Sequence, residues 1–136
     1  MKDNSEIIIR TVDISDIEEL KNFFIKAYGK VTIFQNEQFL IHYFDAKLNN
    51  KSVFSNSLIG INKNGEIVSH YGGLEYNLII NNKIHSIIWG VSAYTLPEYR
   101  GKGSNSQIVN FITNNNEING VIGFSYQTAL FYQKLV

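Results

Sequence analysis

The alternation of hydrophobic and polar positions predicts a strand and two amphipathic helices at the start of the chain. Residues 7–12 are rich in β-branched side chains and predict a strand. Apolar residues then recur at intervals of three and four, which predicts a helix that Ser15 or Asp16 caps and that stops at Gly29. A second amphipathic pattern predicts a helix over 37–48.

The middle of the chain predicts a sheet built from hairpins. Three runs of strand-forming residues are separated by turns that contain Asn or Gly: residues 57–61, 66–80 and 83–95. Asn64-Gly65 is a strong hairpin signal, and Asn81-Asn82 predicts the next turn. Gly72-Gly73 lies inside the longest strand, which indicates a bulge or a close approach of another part of the backbone.

The last third of the chain predicts two more helices and one strand. Pro97 ends the third strand of the sheet, and a helix is predicted over 104–113. A short buried strand is predicted over 121–125 and a final helix over 129–135. Residues 1–136 therefore predict one domain of the α+β (mixed α/β) class, in which helices flank a central, mostly antiparallel sheet.

Composition and charge narrow the class of protein. Hydrophobic residues make up 44% of the 136 residues and charged residues 18%, which is typical of a globular domain. The formal net charge is zero, which argues against general binding of nucleic acid. The chain has no Cys, so disulfides, thiolate metal sites and cysteine nucleophiles are excluded. No stretch approaches about 18 apolar residues and the N-terminus is polar, so we expect a cytoplasmic protein with no membrane partner.

The loop before the helix at 104–113 carries the clearest chemical signal. It reads Arg100-Gly101-Lys102-Gly103-Ser104-Asn105-Ser106, so two glycines and two cations precede a helix N-terminus. The unpaired amides and the helix dipole there favour an anion by roughly 0.3 to 2 kcal/mol. The spacing differs from that of both the Walker loop and the dinucleotide-binding loop. From the glycines alone, a diphosphate cradle and a basic surface turn are equally compatible with this loop.

Two longer segments resemble motifs of the GNAT N-acetyltransferase superfamily. Leu96-Pro97-Glu98-Tyr99-Arg100-Gly101-Lys102-Gly103 resembles its motif A, a strand that ends in x-P-x-Y-R-G-x-G before a helix. The core of that motif, R/Q-x-x-G-x-G/A, falls on Arg100, Gly103 and Asn105. Asn105 departs from the small residue of the family. Ala129-Leu130-Phe131-Tyr132-Gln133-Lys134-Leu135 resembles the family's closing A-x-x-F-Y-x-K-L-G motif, so the resemblance covers nearly all of the chain.

The resemblance implies transfer of an acyl group from acetyl-CoA, or another acyl-CoA, to a primary amine of a small molecule, amino sugar or peptide, without a metal. It implies that the cofactor contacts come from Tyr94, Thr95, Leu96, Arg100, Gly101, Lys102, Gly103, Ser104, Asn105 and Ser106. The loop amides would hold the pyrophosphate, and the strand before the loop would pair with the pantetheine arm and contact the thioester carbonyl. Tyr132 falls on the position of the general acid, where a neutral phenol can hydrogen-bond to the departing sulfur.

The resemblance leaves the general base open. Glu75, His70 and His85 lie on the predicted central hairpin, and Glu75 is the first candidate. Many relatives carry an acid a few residues before the Pro of motif A, whereas positions 92–94 of this chain are Ser, Ala and Tyr.

Two further departures keep an alternative function open. Relatives often have Asn where this chain has Tyr126, and their last motif is followed by strands that complete the sheet, whereas this sequence ends at Val136. We therefore expect the family fold without its last C-terminal strands, with a homodimer or a missing C-terminal segment completing the sheet. The alternative is a non-catalytic domain that binds acyl-CoA or a partner, or an inactive fragment of a larger acetyltransferase.

Overall fold

A five-stranded sheet organises the molecule. The computed structural model describes residues 6–44, 56–121, 123 and 125–134. The strands are neighbours in the order β1 (Ile8–Thr11), β2 (Leu58–Ile61), β3 (Ile67–Ile80), β4 (Lys83–Thr95) and β5 (Ile118–Val121). The helices are α1 (Ile17–Tyr28), α2 (Glu37–Phe44), α3 (Ser104–Asn115) and α4 (Tyr126–Gln133). Adjacent strands are antiparallel except for the parallel pair β4 and β5, which confirms the predicted mixed fold.

The two faces of the sheet are covered by different helices. On one face, α1 and α2 contribute fully buried side chains: Leu20, Phe23, Phe24, Leu40 and Phe44. On the other face, Ile108 and Ile112 of α3 pack against Leu58 and Tyr71. Adjacent residues of a strand point to opposite faces, so each strand contributes to both cores. The predicted continuation of the second helix over 45–48 lies outside the described residues.

Asp16 stands at the N-cap position of α1, as predicted, but its side chain makes no capping hydrogen bond there. The capping bond belongs to the short 3-10 turn Ile14–Asp16, whose N-cap is Asp13: its Oδ1 accepts a hydrogen bond of 2.9 Å from the Ser15 amide. The Asp16 carboxylate accepts from the Asp13 amide at 2.8 Å and from the Arg10 guanidinium at 2.6 and 2.7 Å, and it makes no capping bond to α1. A capping box therefore closes one turn earlier than expected.

The long hairpin of β3 and β4 has the turn and the close contacts that its sequence predicts. Asn81 and Asn82 adopt positive φ angles of 49° and 60°, which two-residue hairpin turns require. A side chain at Gly72 would overlap the Phe44 ring, and one at Gly73 would overlap the Asn56 carbonyl. The glycine pair thus marks a close approach on both faces of the sheet, as expected.

The C-terminal elements begin earlier than predicted. The strand lies at Ile118–Val121 rather than 121–125 and is half-buried, since its pairing with β4 places Gly120 beneath the Trp89 ring. Ser125 caps α4, where its Oγ accepts from the Thr128 amide at 3.3 Å, so the helix starts three residues ahead of the predicted 129. Within the described ranges, no helix combines the length and hydropathy that crossing a bilayer requires.

Candidate active site

A cleft of about 790 Å³ opens where β4 and β5 diverge. The last paired residues of these strands are Gly90 and Val121, whereas β4 continues to Thr95. Side chains from α3 and α4 form the opposite walls, and the floor is β4 beyond Gly90. The cleft therefore offers a stretch of strand that has no parallel neighbour among the described residues.

The loop at the mouth of the cleft has the backbone that the glycine pattern predicts. Gly101 and Gly103 take left-handed φ angles of 74° and 84°. A Cβ at either position would meet no atom within 4 Å, so the glycines serve the backbone conformation rather than a close contact. Gly103 stands at the N-cap of α3, and no side chain from the described part of the chain caps that end. The first amides of α3 are thus available to an anion.

Side chains around this loop tie it to the end of β4. The Nε atom of Arg100 donates to the Thr95 carbonyl at 3.0 Å, and its guanidinium carbon lies 5.3 Å from the Tyr94 ring centre. The Thr95 hydroxyl donates to Asn105 Oδ1 at 3.0 Å. Asn105, which replaces the small residue of the family motif, therefore links the end of β4 to the first turn of α3 by a hydrogen bond.

The predicted cofactor contacts divide into three groups. Tyr94, Thr95, Arg100 and Asn105 line the cleft. Gly101, Lys102, Gly103, Ser104 and Ser106 lie on the loop and first turn of α3 outside its walls, with Lys102 Nζ 4.7 Å from the Tyr99 ring centre. Leu96 is buried in the core beneath α1 and α2, and its amide donates to the Val68 carbonyl at 2.9 Å. The Leu96 side chain packs in the core and its amide is hydrogen-bonded within the sheet, so neither group faces the cleft.

Two phenols meet inside the cleft. Tyr132 of α4 is half-buried, and burial raises its pKa above the ordinary value. Tyr71 of β3 lies across Gly90, where any side chain would overlap its ring. Burial raises the pKa of Tyr71, and the Tyr132 phenol raises it further. Both groups stay protonated at neutral pH, so both are hydrogen-bond donors.

The sequence did not identify Tyr71, because its place in the cleft depends on register. Its ring lies over Gly90 of the neighbouring strand, where a side chain would overlap it. Gly90 was the signal available, and its place beside Tyr71 becomes visible only once the pairing of β3 with β4 is known.

The predicted base Glu75 does not belong to the cleft. It is buried on β3, where its Oε2 accepts from Asn56 at 3.1 Å and its Oε1 accepts from Ser86 at 2.9 Å. Its strand partner is Ile88, two residues before the point where β4 leaves β5. His85 lies farther out, opposite Leu78 near the hairpin turn, and does not line the cleft. Glu75 and His85 therefore lie on the part of the hairpin outside the cleft.

His70, the third candidate base, does reach the cleft wall. Its ring is 1% exposed, and its Nδ1 lies 3.0 Å from the Ser92 carbonyl oxygen. Burial lowers its pKa to about 4, so the ring is neutral at physiological pH. Three phenylalanines surround it: Phe23, Phe24 and Phe44. No cluster of three or more His, Cys, Asp or Glu residues in the described ranges has metal-binding geometry.

The sequence profile of the acetyltransferase (GNAT) domain matches residues 8–133. The structure is similar to that of glucosamine-6-phosphate N-acetyltransferase from Arabidopsis thaliana, with a TM-score of 0.70 and 16% identity over 95% of this chain and 89% of that chain. It is similar to an acetyltransferase from Trypanosoma brucei, with a TM-score of 0.70 and 14% identity over 96% and 91% of the two chains.

A predicted acetyltransferase with acetyl-CoA from Clostridium acetobutylicum is also similar, with a TM-score of 0.67 and 20% identity over 96% and 88% of the two chains. At these identities the structural likeness concerns the fold alone. No functionally curated protein matches the sequence significantly. The profile match covers most of the chain, and the chain belongs to the GNAT acetyltransferase domain family.

Proposed function

We propose that this protein transfers an acyl group from acetyl-CoA to a primary amine of a small molecule, amino sugar or peptide. One observation carries the proposal. The same cleft is bordered by the open N-terminus of α3, contains the β4 backbone beyond its pairing with β5, and holds the Tyr132 phenol. These would serve as the anion site, the strand edge and the acid that an acyl-CoA donor requires.

The loop and the end of β4 would bind the cofactor. The pyrophosphate of acetyl-CoA would accept hydrogen bonds from the first amides of α3, with Arg100 and Lys102 adding positive charge nearby. The amide groups of the pantetheine arm would pair with β4 in the space that β5 leaves open. The thioester would then lie deep in the cleft, near Tyr71 and Tyr132.

Acyl transfer would proceed by direct attack on the thioester. The amine lone pair forms a bond to the carbonyl carbon, and the C–S bond of the resulting tetrahedral intermediate then breaks. Tyr132 donates its phenolic proton to the departing sulfur, and the proton that the attacking nitrogen loses as the amide forms returns to the Tyr132 oxygen, which leaves the phenol protonated for the next cycle. The backbone amides of β4 stabilise the negative charge on the carbonyl oxygen.

The acceptor amine must lose a proton before it attacks. Among the described residues that line the cleft, none carries a carboxylate, and buried His70 is a weak base. We therefore propose that the amine loses its proton to water before it enters. The rate would rise with pH along the titration of the free amine, about pH 8 for a peptide α-amino group and about pH 10 for a lysine-like amine.

Calorimetry with acetyl-CoA and CoA, followed by a thiol-release assay across an amine panel, tests this proposal. We expect both ligands to bind, and CoA to be released only when an accepted amine is present. A control without amine separates transfer from slow hydrolysis. Absence of binding at millimolar ligand would contradict the proposal as a whole.

A second function, acyl-CoA binding without turnover, is favoured by the position of Glu75 outside the cleft. It predicts tight binding of acetyl-CoA with no amine-dependent thiol release at any pH from 7 to about 10. A rate that follows the pKa of the amine would exclude it.

A further inference from the structure

The C-terminal part of β4, just before the loop, contains a bulge at Ser92 and Ala93. His70 pairs with Tyr94 and Gly72 pairs with Val91, so β4 has one more residue than β3 across this interval. Ser92 has a φ of 51°, which is strained for a residue with a side chain. Neither Ser92 nor Ala93 has a partner in the register of β3 and β4. The peptide between Ser92 and Ala93 therefore lies at the register shift, and a ring nitrogen of His70 contacts its carbonyl oxygen.

His70 makes a hydrogen bond to the peptide at Ser92. A carbonyl oxygen only accepts hydrogen bonds, so the contact of 3.0 Å to Ser92 requires the proton on Nδ1. In the neutral ring, Nε2 is then an acceptor, and it is buried without a hydrogen-bond partner among the described residues. An unsatisfied buried acceptor costs about 1–3 kcal/mol. Phenylalanine would fill the same aromatic surroundings without that cost, so packing alone does not account for the histidine.

The peptide group is planar, so the hydrogen bond from His70 to the Ser92 carbonyl also fixes the direction of the Ala93 N–H. In a trans peptide, the Ser92 carbonyl and the Ala93 N–H point in opposite directions. The described residues contain no cis peptide bond. The carbonyl points to His70, which packs with the phenylalanines of α1 and α2 on one face of the sheet. The Ala93 N–H therefore points away from His70, and Ala93 is exposed in the cleft wall.

We infer that His70 is a positioning residue that, through the Ser92 carbonyl, aims the Ala93 amide N–H at the thioester carbonyl oxygen. This inference rests on the proposed function, because it requires a thioester in the cleft. It assigns to a buried histidine the orientation of the donor that stabilises the negative charge of the intermediate. Loss of the His70 bond lets the strained peptide at Ser92 rotate and removes that donor.

Two substitutions separate the hydrogen bond from the packing of the ring. His70→Asn keeps an N–H donor near the position of Nδ1, and His70→Phe keeps an aromatic ring without the donor. Phe44→Leu is the matched control, since its ring contacts the imidazole at a centroid distance of 5.4 Å but makes no bond to Ser92. We expect His70→Phe to lower kcat at saturating acetyl-CoA by at least about tenfold. His70→Asn and Phe44→Leu should stay within about threefold of the parent protein.

Ligand binding gives a readout that does not depend on turnover. CoA lacks the thioester carbonyl, so His70→Phe should leave the Kd for CoA unchanged and weaken binding of acetyl-CoA. Equal effects on both ligands would contradict the role of His70. If the parent protein binds neither ligand, the proposed function fails together with this inference. If it binds both and His70→Phe behaves as the parent protein does, only the inference fails.

Nitrogen-15 NMR on the unmodified protein completes the test, even if His70→Phe does not fold. The imidazole of His70 should carry its proton on Nδ1, and the amide signal of Ala93 should shift with acetyl-CoA more than with CoA. A proton on Nε2, or equal shifts with both ligands, would overturn the assignment.

Discussion

At the scale of single residues, the cleft depends on neutral donors that burial protects from ionisation. Tyr71 and Tyr132 share the cleft, and each has a raised pKa for the same first reason, the loss of solvent. A phenolate in this position would repel a departing thiolate, whereas a phenol can protonate it. Burial of Tyr132 thus keeps the phenol neutral, and the raised pKa makes it a weaker proton donor than a free phenol.

Substitution of Tyr132 by Phe tests this role. We expect kcat to fall by about 10²- to 10⁴-fold, because general acid catalysis contributes that much, while KM for acetyl-CoA changes little. Steady-state thiol release at saturating amine measures both constants. Tyr126→Phe is the matched control on the same helix, where the ring is 74% exposed. A Tyr132→Phe protein with the kcat of the parent would assign this tyrosine to packing alone.

At the scale of elements, the loop between β4 and α3 sets the position of the helix N-terminus at the mouth of the cleft. Gly103 places α3 so that its first amides face outward, and the Thr95–Asn105 bond holds the helix to the strand. Arg100 makes a second hydrogen bond to Thr95, from its Nε to the carbonyl oxygen. The loop therefore holds in place the amides to which the proposed function assigns the pyrophosphate.

Gly103→Ala and Gly65→Ala form a matched pair that separates backbone strain from binding. The two glycines have φ angles of 84° and 81°, and a Cβ at either would meet no atom within 4 Å. Each substitution should lower the free energy of unfolding by about 1–2 kcal/mol, because both force a left-handed residue to carry a side chain. Only Gly103→Ala should also weaken CoA binding, by at least about tenfold, since it moves the amides that hold the pyrophosphate. Calorimetry showing equal CoA affinity for the two variants would contradict the proposed anion site.

At the scale of the whole molecule, the parts that the sequence predicted are those fixed by local rules. The loop from Pro97 to Gly103 and the turn at Asn81-Asn82 follow from the backbone preferences of a few adjacent residues. The positions of His70 and Tyr71 in the cleft follow from the register of β3 and β4, which pairs residues about twenty positions apart. The position of Glu75 outside the cleft was hidden from the sequence for the same reason, because strand pairing sets it.

His70 also couples the stability of the whole fold to pH. Its pKa of about 4 in the folded state lies below the usual 6.5, so between these values the unfolded chain binds a proton that the folded protein excludes. Its contribution to stability is complete above pH 6.5 and declines as the pH falls towards 4. The rings around it are aromatic, and no charged side chain among the described residues contributes to the shift. The Arg10 guanidinium lowers the pKa of Asp16, so that carboxylate loses its contribution only at more acidic pH.

Urea unfolding at pH 7 and pH 5, followed by the fluorescence of the single tryptophan, Trp89, measures this coupling. Between the two pH values, the parent protein should lose about 1.5–2 kcal/mol more unfolding free energy than His70→Phe. His85→Asn is the control, because His85 is a half-buried histidine of the same hairpin that does not line the cleft, and it should keep the parent slope. Parallel slopes for the parent and His70→Phe would mean that the imidazole is protonated in the fold. The neutral ring is what lets Nδ1 donate while Nε2 stays buried without a proton. The pH dependence of unfolding and the orientation of the Ala93 amide are therefore two consequences of one buried histidine.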